Sequence, residues 1–252
     1  MNNIRVLLLL LISFGVLGFA CSKKQVVIGR DNPDQEIQKC IKLSDKKHFK
    51  EAIDCLEMFK TRFPKSQWGM EAELHIGDNY FRKKEYLLAA DSYQAFLRLY
   101  PMSPKADYAH YKTGLSYLRF SPKALDRDQE YLEPAIMHFE IVQRNYPDSP
   151  YAELNNNYHK EARTRIAKRH FYIGRFYFKT GEYISSIPRF LEIANNYRDS
   201  GLGDKALYYA TIANLRLKKI DGARDTFSKL SLDYSGSRYI NELEGRMLRA
   251  VK

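Results

Sequence analysis

A pattern of glycine, alanine, aromatic residues and proline recurs along this chain and restricts its fold more than any other feature. The clearest copy falls within residues 70–101 and consists of Gly77, Tyr80, Ala89, Tyr93 and Pro101. Glycine and alanine let two helices approach closely, aromatic rings fill the space beside them, and the proline ends the second helix because it cannot continue it. This spacing predicts a pair of antiparallel helices.

Further copies of the pattern lie on both sides of this pair. Two contain both halves of the pattern: Gly114, Tyr117, Ala135, Phe139 and Pro147, and then Gly174, Tyr177, Ser186 and Phe190, with Arg198 in place of proline. Two others retain the second half: Ala52, Leu56 and Pro64, and later Ala223 and Phe227. One helix pair cannot bury its apolar face alone, so such pairs stack on one another. The sequence therefore predicts an all-α tetratricopeptide-repeat solenoid of about five antiparallel helix pairs.

Two irregularities interrupt the array. The third repeat is nine residues longer than the second in its central part, and the extra residues fall around 121–130. An insertion in a solenoid becomes a loop on one face, often the binding face. Asp126, Arg127 and Asp128 are therefore docking candidates, with a solvated loop as the alternative. Apolar residues at every third or fourth position over 151–177 predict one continuous helix that joins the two parts of the array.

These boundaries give a prediction for the organisation of the chain. Residues 33–150 are predicted to hold repeats one to three. Residues 151–252 are predicted to hold repeats four and five, followed by an amphipathic capping helix.

The first twenty residues have the composition of a secretory signal. A single basic residue, Arg5, precedes an unbroken apolar run at 6–12, and small residues follow before Cys21. The five residues ending at Cys21 resemble the lipobox of bacterial lipoproteins. That resemblance implies that residues 1–20 are removed, that Cys21 is acylated, and that residues 21–32 form a tether. The alternative is an ordinary signal peptide followed by a chance cysteine.

The other two cysteines, Cys40 and Cys55, are predicted to lie one on each helix of the first repeat. An oxidising periplasm allows a disulfide there, and closing a loop of this length would add about 3 kcal/mol to stability. Pairing requires Cα atoms within about 7 Å of each other. Two buried free thiols are therefore the other interpretation.

The net charge and the absence of known catalytic motifs limit the functions that this sequence can be expected to have. The formal net charge of +11 would suit nucleic acid, an anionic membrane or acidic proteins, but a place in the cell envelope argues against nucleic acid. The six histidines form no compact ligand set, and there is no phosphate-binding loop or nucleophile elbow in the sequence. We therefore expect no metal, no cofactor and no enzymatic activity.

Several more specific stretches resemble one family. They are Asp31-Asn32-Pro33, the Asp126-Arg127-Asp128 insertion, residues 146–151, and the run at 165–168 that precedes Tyr172, Phe176 and Tyr177. Together with five repeats behind a cysteine, they resemble the BamD (YfiO-type) family of tetratricopeptide lipoproteins. Those proteins belong to the machinery that folds β-barrels into the bacterial outer membrane.

The resemblance implies a scaffold on the periplasmic face of the outer membrane. Its partners would be the barrel component, accessory lipoproteins and unfolded segments of outer membrane proteins. Arg189 falls where the family has an arginine at the contact with the barrel component. The candidates for a substrate groove are Trp68, Tyr80, Tyr86 and Tyr111, with core packing as the other role for each. Two alternatives are another envelope scaffold, such as a pilotin or cell-division coordinator, and a cell-wall enzyme with a repeat domain.

Overall fold

A computed structural model describes residues 32–64 and 67–250, which contain eleven α-helices, one short 3₁₀ helix and no β-strand. The helices are α1 Pro33–Asp45, α2 Phe49–Arg62, α3 Gln67–Arg82, α4 Tyr86–Leu99, α5 Ala106–Phe120, α6 Leu132–Asn145, α7 Ala152–Lys179, α8 Tyr183–Asn196, α9 Gly203–Arg216, α10 Ile220–Asp233 and α11 Ile240–Ala250. The 3₁₀ helix, Arg198–Ser200, lies where proline is missing from the fourth repeat. The predicted all-α fold of helix pairs is confirmed.

Five successive pairs run from α1–α2 to α9–α10, and α11 packs against the last pair. These helices form one compact unit that begins at Pro33, so the division at residue 150 stays a prediction. None of the described helices is long and apolar enough to cross a membrane. The predicted signal peptide and Cys21 lie outside the described residues.

In each of the three middle pairs, a glycine of the first helix lies directly against an aromatic ring of the second. The three contacts are Gly77 with Tyr93, Gly114 with Phe139 and Gly174 with Phe190. A methyl group on the glycine would lie only 2.7, 2.7 or 2.8 Å from the nearest ring carbon. All three rings are fully buried. Only glycine lets the helices approach this closely around a ring of that size.

The two terminal pairs lack this contact and are joined in another way. Cys40 and Thr211 occupy the position that glycine holds in the middle pairs. The Cα atoms of Cys40 and Cys55 are 5.5 Å apart, and their sulfur atoms are bonded as a disulfide. The hydroxyl of Thr211 donates to the hydroxyl of Thr226, 2.9 Å away in the second helix of the last pair. A bond between side chains therefore replaces the glycine–ring contact at both ends of the array.

The turn within four of the five pairs has a common form. Its central residue has a positive φ angle at Lys47, Lys84, Gly181 and Lys218. At Lys84 the backbone N–H donates to the carbonyl of Phe81, and the N–H of Glu85 donates to the carbonyl of Tyr80. This is the Schellman motif, which satisfies carbonyls at the end of a helix. The third pair has the insertion in its place.

The spacing of the glycine–ring contacts makes a direct prediction. Gly77→Ala places a methyl group inside the van der Waals distance of Tyr93, and overpacking of this kind costs about 1–3 kcal/mol. Urea unfolding should show the corresponding loss of stability. Gly245→Ala is the matched control, because its added methyl would lie 4.0 Å from the nearest side-chain atom. The control should be neutral or gain up to ~1 kcal/mol of helix propensity. Equal effects of the two substitutions would contradict this account of the packing.

The disulfide gives a second prediction. A Cys21→Ser variant, unfolded without reductant, should show no titratable thiol, and reduction should then expose two. Reduction should also lower the free energy of unfolding by about 3 kcal/mol, because the unfolded chain is no longer cross-linked. Two free thiols before reduction would exclude the disulfide.

Candidate functional site

A carboxylate on α3 organises one recess of the surface. The Oδ1 atom of Asp78 accepts hydrogen bonds from the hydroxyls of Tyr93, at 2.6 Å, and Tyr108, at 2.5 Å. Burial raises the pKa of both phenols, and the carboxylate acts in the same direction. Both hydroxyls are therefore protonated donors at neutral pH. Two rings from neighbouring helices are thus fixed to a single acceptor.

A lysine completes this cluster. The Nζ atom of Lys112 lies 3.7 Å from the centre of the Phe81 ring and 5.9 Å from that of Tyr108. Burial lowers the pKa of Lys112, and Asp78 opposes the shift. An ammonium group over an aromatic face is attracted by the ring quadrupole. The cluster is therefore held by charge as well as by packing.

The recess beside this cluster has a volume of about 460 Å³ and lies between the first helices of successive repeats. Its charged and aromatic lining consists of Glu71, His75, Asp78, Lys105, Asp107, Tyr108 and Tyr151. Lys105 forms an ion pair with Glu71 at 2.9 Å, and Asp107 accepts a hydrogen bond from Ser149 at 2.6 Å. Burial lowers the pKa of His75. The recess therefore presents aromatic faces and carboxylate acceptors, which suit an extended polypeptide.

Of the four aromatic residues proposed from the sequence as groove candidates, Tyr111 is buried and the other three are half-buried. Trp68 and Tyr80 pack against the core cluster of the first two repeats, and Tyr86 contacts the ring of Phe81. Tyr111 is 7% exposed and stacks on Tyr151 at 5.3 Å. The chain brings none of the four to the lining of the recess.

The residues that do line the recess were missed because their contacts cross repeats. Asp78 follows the glycine position of α3, while Tyr108 lies on α5 and Tyr151 precedes α7. The sequence signal at this site was a polar residue directly after Gly77. Nothing in the local spacing indicates which rings of later repeats reach this carboxylate.

The insertion forms a loop that is hydrogen-bonded to a side chain of α7. The guanidinium group of Arg165 donates to the backbone oxygens of Leu118, Ser121 and Pro122, at 3.0, 2.9 and 2.6 Å. The side-chain amide of Gln129 donates to the carbonyls of Pro122 and Ala124. Charged donors make the stronger hydrogen bonds. The loop therefore has a fixed shape although its tip is exposed.

The loop and Arg189 lie on one face of the protein. Asp126, Arg127 and Asp128 are exposed, and Asp128 pairs with Arg169 at 3.4 Å. Arg169 and Arg189 line the same small recess of about 270 Å³, together with Gln129, Glu130, Glu133, Ile166, His170 and Ile173. Of the loop residues predicted to contact a partner, Asp128 is thus linked through Arg169 to the recess that Arg189 lines.

Another recess, of about 430 Å³, adjoins Arg189 on its other side. It is lined by His170, Tyr177, Ser185, Pro188 and Glu192 as well as by Arg189. Burial lowers the pKa of His170, so this ring is neutral at neutral pH. Arg189 therefore stands exposed between two depressions and is available to an acidic group of a partner. Among the described residues, no group of three or more His, Cys, Asp or Glu side chains is placed to hold a metal ion.

Stacked helix pairs with a glycine–ring contact inside each middle pair define a tetratricopeptide-repeat scaffold. The chain belongs to the YfiO family, described as outer membrane lipoproteins, whose model matches residues 31–230.

Relatives with the name outer membrane protein assembly factor BamD come from several bacteria. The Vibrio cholerae protein is 25% identical over 224 residues, which cover 85% of this chain and 93% of that one. The Rickettsia prowazekii protein is 28% identical and covers 78% of each chain. The Caulobacter vibrioides protein is 25% identical over 77% of this chain, and the match spans 64% of that relative's length.

Proteolysis can test whether the hydrogen bonds of Arg165 hold the loop in place. Arg165→Ala removes the guanidinium group, so the loop carbonyls lose their charged hydrogen-bond donor. We expect this loss to destabilise the loop by about 2 kcal/mol. We expect trypsin to cleave after Lys123 and Arg127 faster than in the parent protein, as followed by mass spectrometry. Lys160→Ala, an exposed site on the same helix, should leave the cleavage rate unchanged. Equal rates for Arg165→Ala and the parent would show that the loop does not need this side chain.

Proposed function

We propose that this protein is a non-catalytic scaffold of the machinery that assembles β-barrels in the outer membrane. Its place would be the periplasmic face of that membrane, anchored by lipid on Cys21. The family membership supports this role, because the family is described as outer membrane lipoproteins and the relatives carry the name of an assembly factor. A stack of helix pairs offers long surfaces to other polypeptides.

The observation that carries the proposal is the face formed by Arg189 and the insertion loop. An exposed arginine with a fixed loop beside it provides charge and shape for a folded partner domain. Arginine is enriched at protein interfaces, and its guanidinium group can bind a carboxylate through two parallel hydrogen bonds. We assign this face to the barrel component, with Asp126, Arg127 and Asp128 at the rim of the contact. Accessory lipoproteins would occupy other surfaces of the repeats.

The recess around Asp78 is the part of the scaffold proposed for substrates. Its rings and carboxylate acceptors are suited to an extended segment of an unfolded outer membrane protein. Tyr108 and Tyr151 take this role in place of the four aromatic residues that the sequence indicated. The two proposed surfaces use different residues, so substrate and barrel component could be held at the same time.

Charge reversal at Arg189 tests the proposed contact. Arg189→Glu should reduce co-purification of a large β-barrel protein in mild detergent by at least tenfold, since it places like charges at the interface. Lys50→Glu makes the same change of charge at an exposed residue of the first repeat and should leave recovery unchanged.

Two results would contradict the proposal. One is unchanged recovery of the barrel protein with Arg189→Glu. The other is a parent protein that co-purifies with pilus or cell-division proteins and with no β-barrel partner, which would place the chain in a different envelope assembly.

A further inference from the structure

A further recess lies between the insertion loop and α7, and we call it the α7 recess. Its lining consists of Lys123 and Leu125 from the loop and Asn157, Lys160, Glu161, Thr164, Arg165 and Lys168 from the helix. Its volume is about 590 Å³, which exceeds the 460 Å³ of the recess at Asp78 and the volumes of both recesses beside Arg189. It is therefore large enough to hold several residues of another chain.

The lining has an excess of positive charge. Four of its side chains are cationic and one, Glu161, is acidic. Lys123, Lys160 and Lys168 are exposed, and none of them forms an ion pair with any residue in the described ranges. Cations that converge on a cleft raise the local concentration of anions there. The fold itself supplies one carboxylate to neutralise four positive groups.

Arg165 has a different role from the three lysines. Its guanidinium group is engaged by the carbonyls of the loop, so it fixes the loop wall of the recess. That wall carries Lys123 and the half-buried Leu125 toward the helix. The cationic lining is therefore presented in a fixed arrangement and needs little ordering when a ligand binds.

Two exposed rings follow the recess along α7. Residues at intervals of four lie on one face of a helix, and Lys168 is followed on that face by Tyr172 and Phe176. These two rings are 48% and 58% exposed. The same side of the helix therefore carries two exposed lysines of the recess and, beyond them, two exposed rings.

We propose that the α7 recess binds an extended acidic segment of a partner polypeptide. Its carboxylates would contact Lys123, Lys160 and Lys168, and an apolar side chain would lie between Leu125 and Tyr172.

The dimensions fit such a segment. The distance along the helix from Asn157 to Lys168 is about 16 Å at 1.5 Å per residue, which accommodates about five residues of extended chain. Asn157 and Thr164 supply hydrogen-bonding groups for its backbone. A bilayer surface is flat, whereas these cations flank a depression between the loop and α7, so the concave shape favours a polypeptide over lipid headgroups.

This surface is distinct from the one assigned to the barrel component. The recess beside Arg189 uses Ile166, Arg169, His170 and Ile173 of α7, whereas Asn157, Glu161, Thr164 and Lys168 line the α7 recess. With about 3.6 residues per turn, the two sets lie on opposite faces of the helix. The inference therefore does not depend on the proposed function, although the insertion loop borders both surfaces.

The experiment uses the full-length protein in mild detergent and a fluorescein-labelled decapeptide. The peptide contains six Asp or Glu residues and a central Leu-Phe, and a second peptide has lysine at the six acidic positions. Fluorescence anisotropy should show binding of the acidic peptide alone. Higher salt should weaken it, because surface charges are screened over about 8–10 Å at physiological ionic strength.

Two double variants test where the peptide binds. Lys160→Glu with Lys168→Glu should reduce affinity at least tenfold. Lys46→Glu with Lys50→Glu, at exposed positions of the first repeat, makes the same change in net charge and should have no effect. Circular dichroism checks that both variants keep their helix content.

Photo-crosslinking gives a readout that does not depend on charge. A benzoylphenylalanine in place of Leu125 should form an adduct with the acidic peptide, and the same group in place of Met58, which is exposed on α2, should not. Equal affinity in the two double variants, or an adduct at residue 58 only, would overturn the proposal. So would binding to phosphatidylglycerol vesicles that is lost in the Lys160/Lys168 variant while the acidic peptide fails to bind, because that result assigns the recess to a membrane.

Discussion

In each of the three middle repeats, the contact between a glycine and a fully buried aromatic ring determines how the two helices pack. A methyl group at Gly77, Gly114 or Gly174 would overlap the ring opposite. The distance between the two helices of each pair is therefore fixed by the size of a phenyl group. Because interiors are packed to crystal-like density, this distance cannot vary much. The surfaces that the first helices present, including the recess at Asp78, depend on it.

The two terminal pairs of the described array are joined by bonds between side chains. Cys40–Cys55 joins the first pair covalently, and Thr211 bonds to Thr226 in the last. Both links connect the same positions of the two helices. In an architecture whose stability is a sum of pair and interface terms, each of these bonds stabilises its own pair.

Charge is distributed unevenly over the surface, although the chain as a whole is strongly basic. Carboxylates and tyrosine hydroxyls concentrate at the recess between the first helices of repeats two and three. Cations lie on two sides of α7: Arg169, next to Arg189 of α8, on one side, and Lys160 and Lys168 on the other. A single helix of 28 residues thus places two charged surfaces at a fixed relative orientation.

The sequence by itself determined the repeat, the number of helix pairs, the long helix and the position of the insertion. These features follow from local rules: glycine and alanine at helix contacts, proline at helix ends and apolar residues at helical spacing. The same rules predict that Cys40 and Cys55 lie on facing helices. Whether they form a disulfide depends on the distance between their Cα atoms, which sequence spacing does not give.

Tertiary structure decided which side chains meet across repeats. An aromatic side chain such as Tyr111 can line a groove or lie in a core. Its 7% exposure and its stacking on Tyr151 show that it lies in the core. Asp78 meets Tyr108 thirty residues later, and Arg165 meets the loop more than forty residues earlier. Such contacts depend on how each helix pair is rotated relative to the next. That rotation results from many small packing interactions, so no periodic pattern in the sequence predicts it.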